Sequence, residues 1–551
     1  MQYVDKRVLI IEDQRPFLLM LKGLMTSMGC TEVVTKSSAE QALSLCRKQK
    51  FDIVIADLHL GADRKNGFEL VEELRLSQLI SPSSIFILIS ADSARPVVLG
   101  SLERRPDDYL IKPFSQMQLK TRITRAWRKR QALLAVYSAI FDKDLPQAIE
   151  ACKRVINSDN HYRHSAEQLL VELYWQTGAD QDALDLLAPY GDSPQAQWVT
   201  TALARTYLRL GKASLAIELG EQILTANRFS AEAYEIIAHA RQAINEGEAA
   251  IAAINQAIKL SPYSIARYHS ACQLARQNNN YPLAHDACLA IWDLSKRTVH
   301  QHISHWCGYI RSMLDVAEYT DDKQQKNRYQ QDALLQLQRG RHNDDIARID
   351  TDFDYDIFEQ VMMARIAKLD NNKMDAKRAL FHSQQAIKAQ YEAYPVYYAP
   401  DSLKVMLELG EYEQAQPITQ LLQNHQHELD DNSAFAVKQA AERAAGAQQA
   451  YTQYNREGIG LYQQGKFAEA RTAFSQAQFY APVNTGVALN LLQCILKLAE
   501  KQSKPGRELV IECKRLTRLI DEMPLQPPFE QKFSALQPEI EALLDAHAIR
   551  R

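Results

Sequence analysis

Five polar residues near the start of the chain are of types that could do chemistry together: the adjacent acids Glu12 and Asp13, then Asp57, Ser90 and Lys112. Each stands at the end of a short apolar run. "VLII" leads to Glu12, "DIVIAD" ends in Asp57, "IFILIS" ends in Ser90 and "YLI" leads to Lys112. Carboxylates gathered in one place are costly unless a positive charge sits between them. Three of them form a hard oxygen cluster suited to Mg²⁺, which keeps several waters and binds through few carboxylates. The lysine ammonium supplies a second positive point, able to pair with Asp57 or with an oxyanion built on it. Singly, each residue has an ordinary explanation as a helix cap, a turn residue or a loop dipeptide. Their joint placement at the ends of four apolar runs carries the argument.

The elements that must position these groups alternate. Apolar runs at 7–12, 31–36, 52–57, 84–90 and 107–113 read as strands. Helical patterns follow at 15–28, 38–49, 67–78, near 94–104 and from Ser115. Five such units predict a parallel sheet covered on both faces, with its site in the loops at the strand C-terminal ends.

This first region, about residues 5–130, resembles the receiver domain of two-component response regulators, on the strength of "IIED", "DIVIADLHL", "ILISA" and "DYLIKPF". The resemblance implies a flavodoxin-like α/β fold with Asp57 as phosphoacceptor and Glu12 and Asp13 as the acid pair. It implies Mg²⁺ held by Asp13, Asp57 and the backbone carbonyl of His59. Ser90 becomes the switch hydroxyl, Tyr109 the switch aromatic, and Lys112 the phosphate-contacting lysine before a cis bond to Pro113. The loop "DLHLGADRKNGFE" departs from the family, having no proline and placing Gly67 ten residues after Asp57.

The chain has 551 residues, 46% hydrophobic and 24% charged, which calls for several domains of ordinary globular composition. A net charge of −3 argues against a protein held mainly by nucleic-acid phosphates. The basic run "RITRAWRKRQ" has helical spacing and reads as a solvated helix face. No apolar run is long enough for a bilayer, and the first residues carry no signal-peptide core. Eight cysteines without a CxxC pair read as scattered buried thiols, so the expected location is the cytoplasm.

Beyond residue 130 a repeat appears. Alanines at 148, 183, 216, 250 and 284 recur at intervals of 33 to 35 residues, and Ala376, Ala415 and Ala470 continue less regularly. Two helices per unit at this period resemble the tetratricopeptide repeat (TPR), most closely at Gly458, Leu461, Gly465, Phe467, Ala470, Phe474, Ala477 and Pro482. The expected architecture is the receiver followed by an all-α, TPR-type superhelix. Its divisions are 1–130 receiver, 131–298 repeats, 299–350 irregular helical connector, 351–432 degenerate repeats, and 433–551 last repeat with capping helices. Repeats of this kind offer a concave groove. Trp175, Trp198, Arg205, Arg209, Glu235, His239, His269 and Arg276 are expected to line it, a mixture that protein-binding hot spots favour.

Two further clusters are weaker. His300, His302, His305 and Cys307 lack a second ligand group and would scatter round a helix. "DTDFDYD" (350–356) lacks the glycine and closing glutamate of a calcium loop and reads as a polar helix start, reached through a linker or long loop over 337–356.

The functional expectation is a regulatory protein, not an enzyme beyond self-phosphorylation and its reversal. Asp57 would take phosphate from a histidine kinase or phosphotransfer protein, and the repeats would bind a signalling enzyme, kinase or transcription factor. The alternatives are a nucleic-acid-binding regulator using the helical repeats, or a phosphate-sink scaffold. Homodimerisation is left open, and no membrane partner is expected.

Overall fold

A computed structural model describes residues 2–61, 65–91, 106–190, 197–502 and 506–548. The helix expected near 94–104 lies outside them. The chain divides into two compact units, Met1–Gln301 and His302–Arg551.

The first unit begins with five parallel strands: β1 (Arg7–Ile11), β2 (Glu32–Lys36), β3 (Ile53–Asp57), β4 (Ile85–Ser90) and β5 (Asp108–Ile111). They lie in the order β2-β1-β3-β4-β5. Because side chains alternate across a strand, its two faces build two cores. Leu9, Ile11, Val54, Ala56, Phe86 and Leu88 pack on α2 (Ala39–Cys46) and α3 (Gly67–Leu76). Val8, Ile10, Ile53, Ile55, Ile85 and Ile87 pack on α1 (Arg15–Ser27) and α4 (Gln116–Ala132). Fully buried strands cannot afford polar residues within, so the polar groups collect where the strands end. Capping boxes at Asn66/Glu69 and Ser115/Gln118 fix where α3 and α4 begin.

After α4, Leu133 is buried and the next helix, Leu134–Phe141, starts at once. From there to Ser295 each described helix packs against the next, and helices Gln197–Arg209 and Ala231–Ala243 also touch each other, as do Ala231–Ala243 and Ile265–Gln277. The aligned alanines explain the closeness of these contacts. Ala148, Ala183, Ala216, Ala250 and Ala284 are at most 1% exposed, as are Ala376, Ala415 and Ala470 in the second unit.

The second unit is helical throughout its described elements, from Ile303–Tyr319 to Pro527–Ala548. One expectation needs correction here. The stretch 337–356, read as a linker or long loop, is largely helical: Lys323–Arg341 runs into it and Asp344–Ile349 follows. Farther on, Asp431–Gln463 is one continuous helix. By contrast, "DTDFDYD" does start a helix, with Asp354 capping Tyr355–Leu369.

Candidate functional site

The sheet edge brings the sequence-selected residues together. Glu12 follows β1, Asp57 closes β3, Ser90 closes β4 and Lys112 follows β5. Main-chain bonds lock these ends to one another: Leu58 N–H donates to the Ile89 carbonyl at 2.8 Å, and Lys112 N–H to the Ser90 carbonyl at 2.8 Å. The Lys112–Pro113 bond is cis.

Lys112 Nζ stands 2.9 Å from Glu12 Oε2 and 2.8 Å from Asp57 Oδ2. It also lies 4.0 Å from the centre of the Phe17 ring, whose face favours a cation. Phe17 escaped the sequence reading; only its place in the first turn of α1, next to the acid pair, could have marked it. Asp57 Oδ1 accepts the Leu58 N–H at 2.8 Å, and Glu12 Oε1 accepts the Gln14 N–H at 3.2 Å. Glu12 and Ser90 are wholly buried and Asp57 nearly so, while Asp13 is exposed. Burial pushes the Glu12 carboxyl above its usual range; the hydrogen bond from Lys112 opposes this and the Asp57 charge adds to it.

Glu12, Asp13 and Asp57 each offer a carboxylate oxygen within 4.8 Å of the others. This donor set fits a hard divalent cation, with Asp13 open to solvent and Asp57 anchored beneath it. His59, whose backbone carbonyl is the third expected ligand, lies two residues beyond Asp57 with an exposed side chain. Tyr109 is on β5, partly buried against the α2–α3 core. At the start of α3, Gly67 has a role that its spacing alone did not reveal. A Cβ there would meet the Asp57 carbonyl oxygen at 2.5 Å and Leu88 Cδ1 at 2.7 Å.

The family model that matches this chain, described as the response regulator receiver domain, covers residues 8–124. Residues 8–124 are a receiver domain. Over 128 residues the chain is 38% identical to the two-component response regulator ARR2 of Arabidopsis thaliana, covering 23% of this chain and 18% of that one. It is 30% identical to the alkaline phosphatase synthesis transcriptional regulatory protein PhoP of Bacillus subtilis (strain 168), covering 23% of this chain and 51% of PhoP. The chain thus spans about half or less of the length of these relatives. A crystal structure of a CheY-like response regulator receiver domain protein from Methanospirillum hungatei JF-1 is 23% identical over 23% of this chain and 96% of that one, with a TM-score of 0.21.

Beyond the receiver, the helices of the first unit line an open groove of about 1120 Å³. Trp175, Arg205, Arg209, Glu235 and His239 line it, and Trp198 lines an adjoining hollow of about 430 Å³ that shares Trp175 and Arg205. His269 lines neither, and Arg276, expected to face the groove, is buried in the last turn of its helix. The groove is held in shape by its own charges. Arg205 pairs with Glu232 at 2.9 Å and lies over the Trp175 ring at 5.3 Å. Arg209 bonds Asp180 and the Trp175 carbonyl. Burial holds His239 below its ordinary value, with Glu235 opposing and Arg205 adding to the effect.

The remaining sequence candidates resolve simply. All eight cysteines are buried. Burial pushes Cys46 up to about 11 and Cys152, Cys307 and Cys494 up to about 12, so these thiols are unreactive at neutral pH. Among the described residues, the acids of the receiver pocket are the one group placed to hold a metal. No described helix is long and apolar enough to cross a membrane. On the basic run of α4, Arg122 and Arg125 pair with Asp108 while staying open to solvent, and the buried Arg130 pairs with Asp107 at 3.5 Å.

Proposed function

We propose that this protein is a phosphorylation-controlled response regulator whose TPR-type helical repeats bind and regulate a protein partner. The observation that carries the first half is Lys112 Nζ bridging Glu12 and Asp57, with the Asp13 carboxylate within 4.8 Å. Asp57 Oδ attacks the phosphorus of a phosphohistidine on a kinase or phosphotransfer protein. An acyl phosphate forms as the nitrogen–phosphorus bond breaks, and the imidazole leaves with the electron pair. Asp13, Asp57 and the His59 carbonyl would hold Mg²⁺, which when bound neutralises phosphoryl charge and aligns the reacting groups. Lys112 meets the new phosphoryl oxygens as a fixed cation. The Ser90 hydroxyl supplies a further hydrogen bond from the end of β4, and Tyr109 follows it inward.

The second half is supported by the groove. Its tryptophans and arginines are the side chains that anchor protein partners, and its volume suits a peptide segment. A nucleic-acid reading is disfavoured by the net charge of −3, which leaves no basic surplus for phosphate contacts. The proposed role is regulatory, with no chemistry beyond phosphorylation of Asp57 and its hydrolysis.

The test is incubation with a small-molecule phosphodonor, with and without Mg²⁺, read by intact mass. Wild type should gain one phosphoryl group only with Mg²⁺, and Asp57→Asn should gain none. Full labelling of that variant at the wild-type rate would reject Asp57 as the acceptor. Capture of partners by wild type and Asp57→Ala then separates a switch from a phosphate sink, which binds alike in both.

A further inference from the structure

Helix α3 joins the phosphoacceptor to both ends of the helical array in the first unit. At its start the Gly67 N–H donates to the Leu58 carbonyl at 2.8 Å, and there is no room for even a Cβ between Gly67 and the Asp57 main chain. Phe68, Leu70, Val71 and Leu74 are buried along it, so it is held to the sheet as one rod. Ten residues make this rod about 15 Å long.

Its far half carries two contacts that reach well along the chain. The Glu72 carboxylate accepts from His300 Nε2 at 2.8 Å, from the turn that follows the helix Tyr281–Ser295. Just past the end of α3, Gln78 Nε2 donates to the carbonyl of Phe141 at 2.5 Å, the last residue of the helix Leu134–Phe141. The first helix after the receiver and the last turn of the unit are therefore both fastened to one receiver helix. Between these points, Arg75 binds Asp107 at 2.6 Å, and Asp107 also accepts the Phe86 N–H at 2.7 Å and pairs with Arg130 of α4. The connecting helix is thus tied to α3 as well.

We propose that α3 is an output element of the receiver, passing the state of Asp57 to the helical array through Glu72–His300 and Gln78–Phe141. This rests on the reading of Asp57 as phosphoacceptor. A phosphoryl group there adds negative charge beside the N-terminal end of α3, where the helix dipole attracts it. The Gly67 contact leaves α3 no slack, so a shift at Asp57 moves the whole rod. Both ends of the array then feel the movement at once, which a single connecting helix could not achieve. Coupling of this kind is reciprocal: weakening the fastening must change how tightly the pocket holds a phosphoryl group.

The experiment uses the full chain with beryllofluoride and Mg²⁺ as the phosphoryl probe. Wild type, Glu72→Gln, His300→Gln and Asp57→Asn are compared by calorimetry and by hydrogen exchange. Both substituted fastening residues are partly exposed and the replacements are conservative. In wild type the probe should change exchange in the receiver and in peptides covering 281–300. In Glu72→Gln and in His300→Gln the receiver response should persist, the response at 281–300 should vanish, and probe affinity should shift about fivefold. An unchanged response at 281–300 together with unchanged affinity would overturn the proposal. If wild type and Asp57→Asn instead behave alike, with no response in the receiver, it is the phosphoacceptor reading that fails.

Discussion

Glu12 carries the least comfortable charge in the pocket. It is wholly buried, and burial together with Asp57 raises its carboxyl pKa despite the Lys112 hydrogen bond. The folded chain therefore keeps the Glu12 proton to a higher pH than the unfolded chain does. Below the unfolded value both states are protonated and the group is neutral in the balance. Through the window above it, stability falls as pH rises, and the full cost stands above the folded value. Glu12→Gln should accordingly stabilise the protein at pH 7 without divalent ions, by roughly 1 kcal/mol, the ordinary scale of one substitution. Urea unfolding of both proteins at pH 7 and near pH 4 measures it, and the advantage should shrink at the lower pH. A variant less stable than wild type at pH 7 would show that the Lys112 bond outweighs burial. Glu12, Asp57, Ser90 and Lys112 were legible in the sequence because a buried parallel strand admits polar residues only at its ends. Phe17 and Asp107 were not, since an apolar ring on a helix and an acid before a strand look the same whether or not they meet a charge.

At the scale of elements, the strand ends were readable to within about two residues for that same reason. The stretch 337–356 reads as a linker or long loop, yet its Gly340 lies inside the helix Lys323–Arg341, where a Cβ would come 2.6 Å from Trp306 Cζ2. A glycine needed for close packing cannot be told from one needed for a turn without its neighbour in view. Gly67 is the sharper case, since its obstacle is the main-chain oxygen of Asp57 itself, which no side-chain rotation can relieve. Gly67→Ala should cost about 1–3 kcal/mol, as overpacking does, and should move the urea midpoint down. An unchanged midpoint would mean that α3 has room to slide, and would also weaken its case as a rigid transmitter. The groove was partly legible. The register of the repeats brought out Trp175, Trp198, Arg205, Arg209, Glu235 and His239, but Arg276 sits in the last helical turn, where a cation and the carbonyl end attract and packing buries it.

At the scale of the first unit, two connections run from the receiver to the helical array, and they make separable predictions. One is covalent: α4 passes through buried Leu133 into the helix Leu134–Phe141 with no flexible linker between. The other is the fastening of α3 at Gln78–Phe141 and Glu72–His300. A Gly/Ser insertion after Gln131 loosens the first and leaves the second in place. It should preserve labelling of Asp57 and the hydrogen-exchange response to beryllofluoride at 281–300, while diminishing the response at 145–156, the helix beyond Leu134–Phe141. His300→Gln should do the reverse. The combined variant should lose both responses, leaving a receiver that responds to the probe beside an array that responds at neither 145–156 nor 281–300. If the insertion alone silences the entire array, the covalent helix is the transmitter and α3 serves only to brace it.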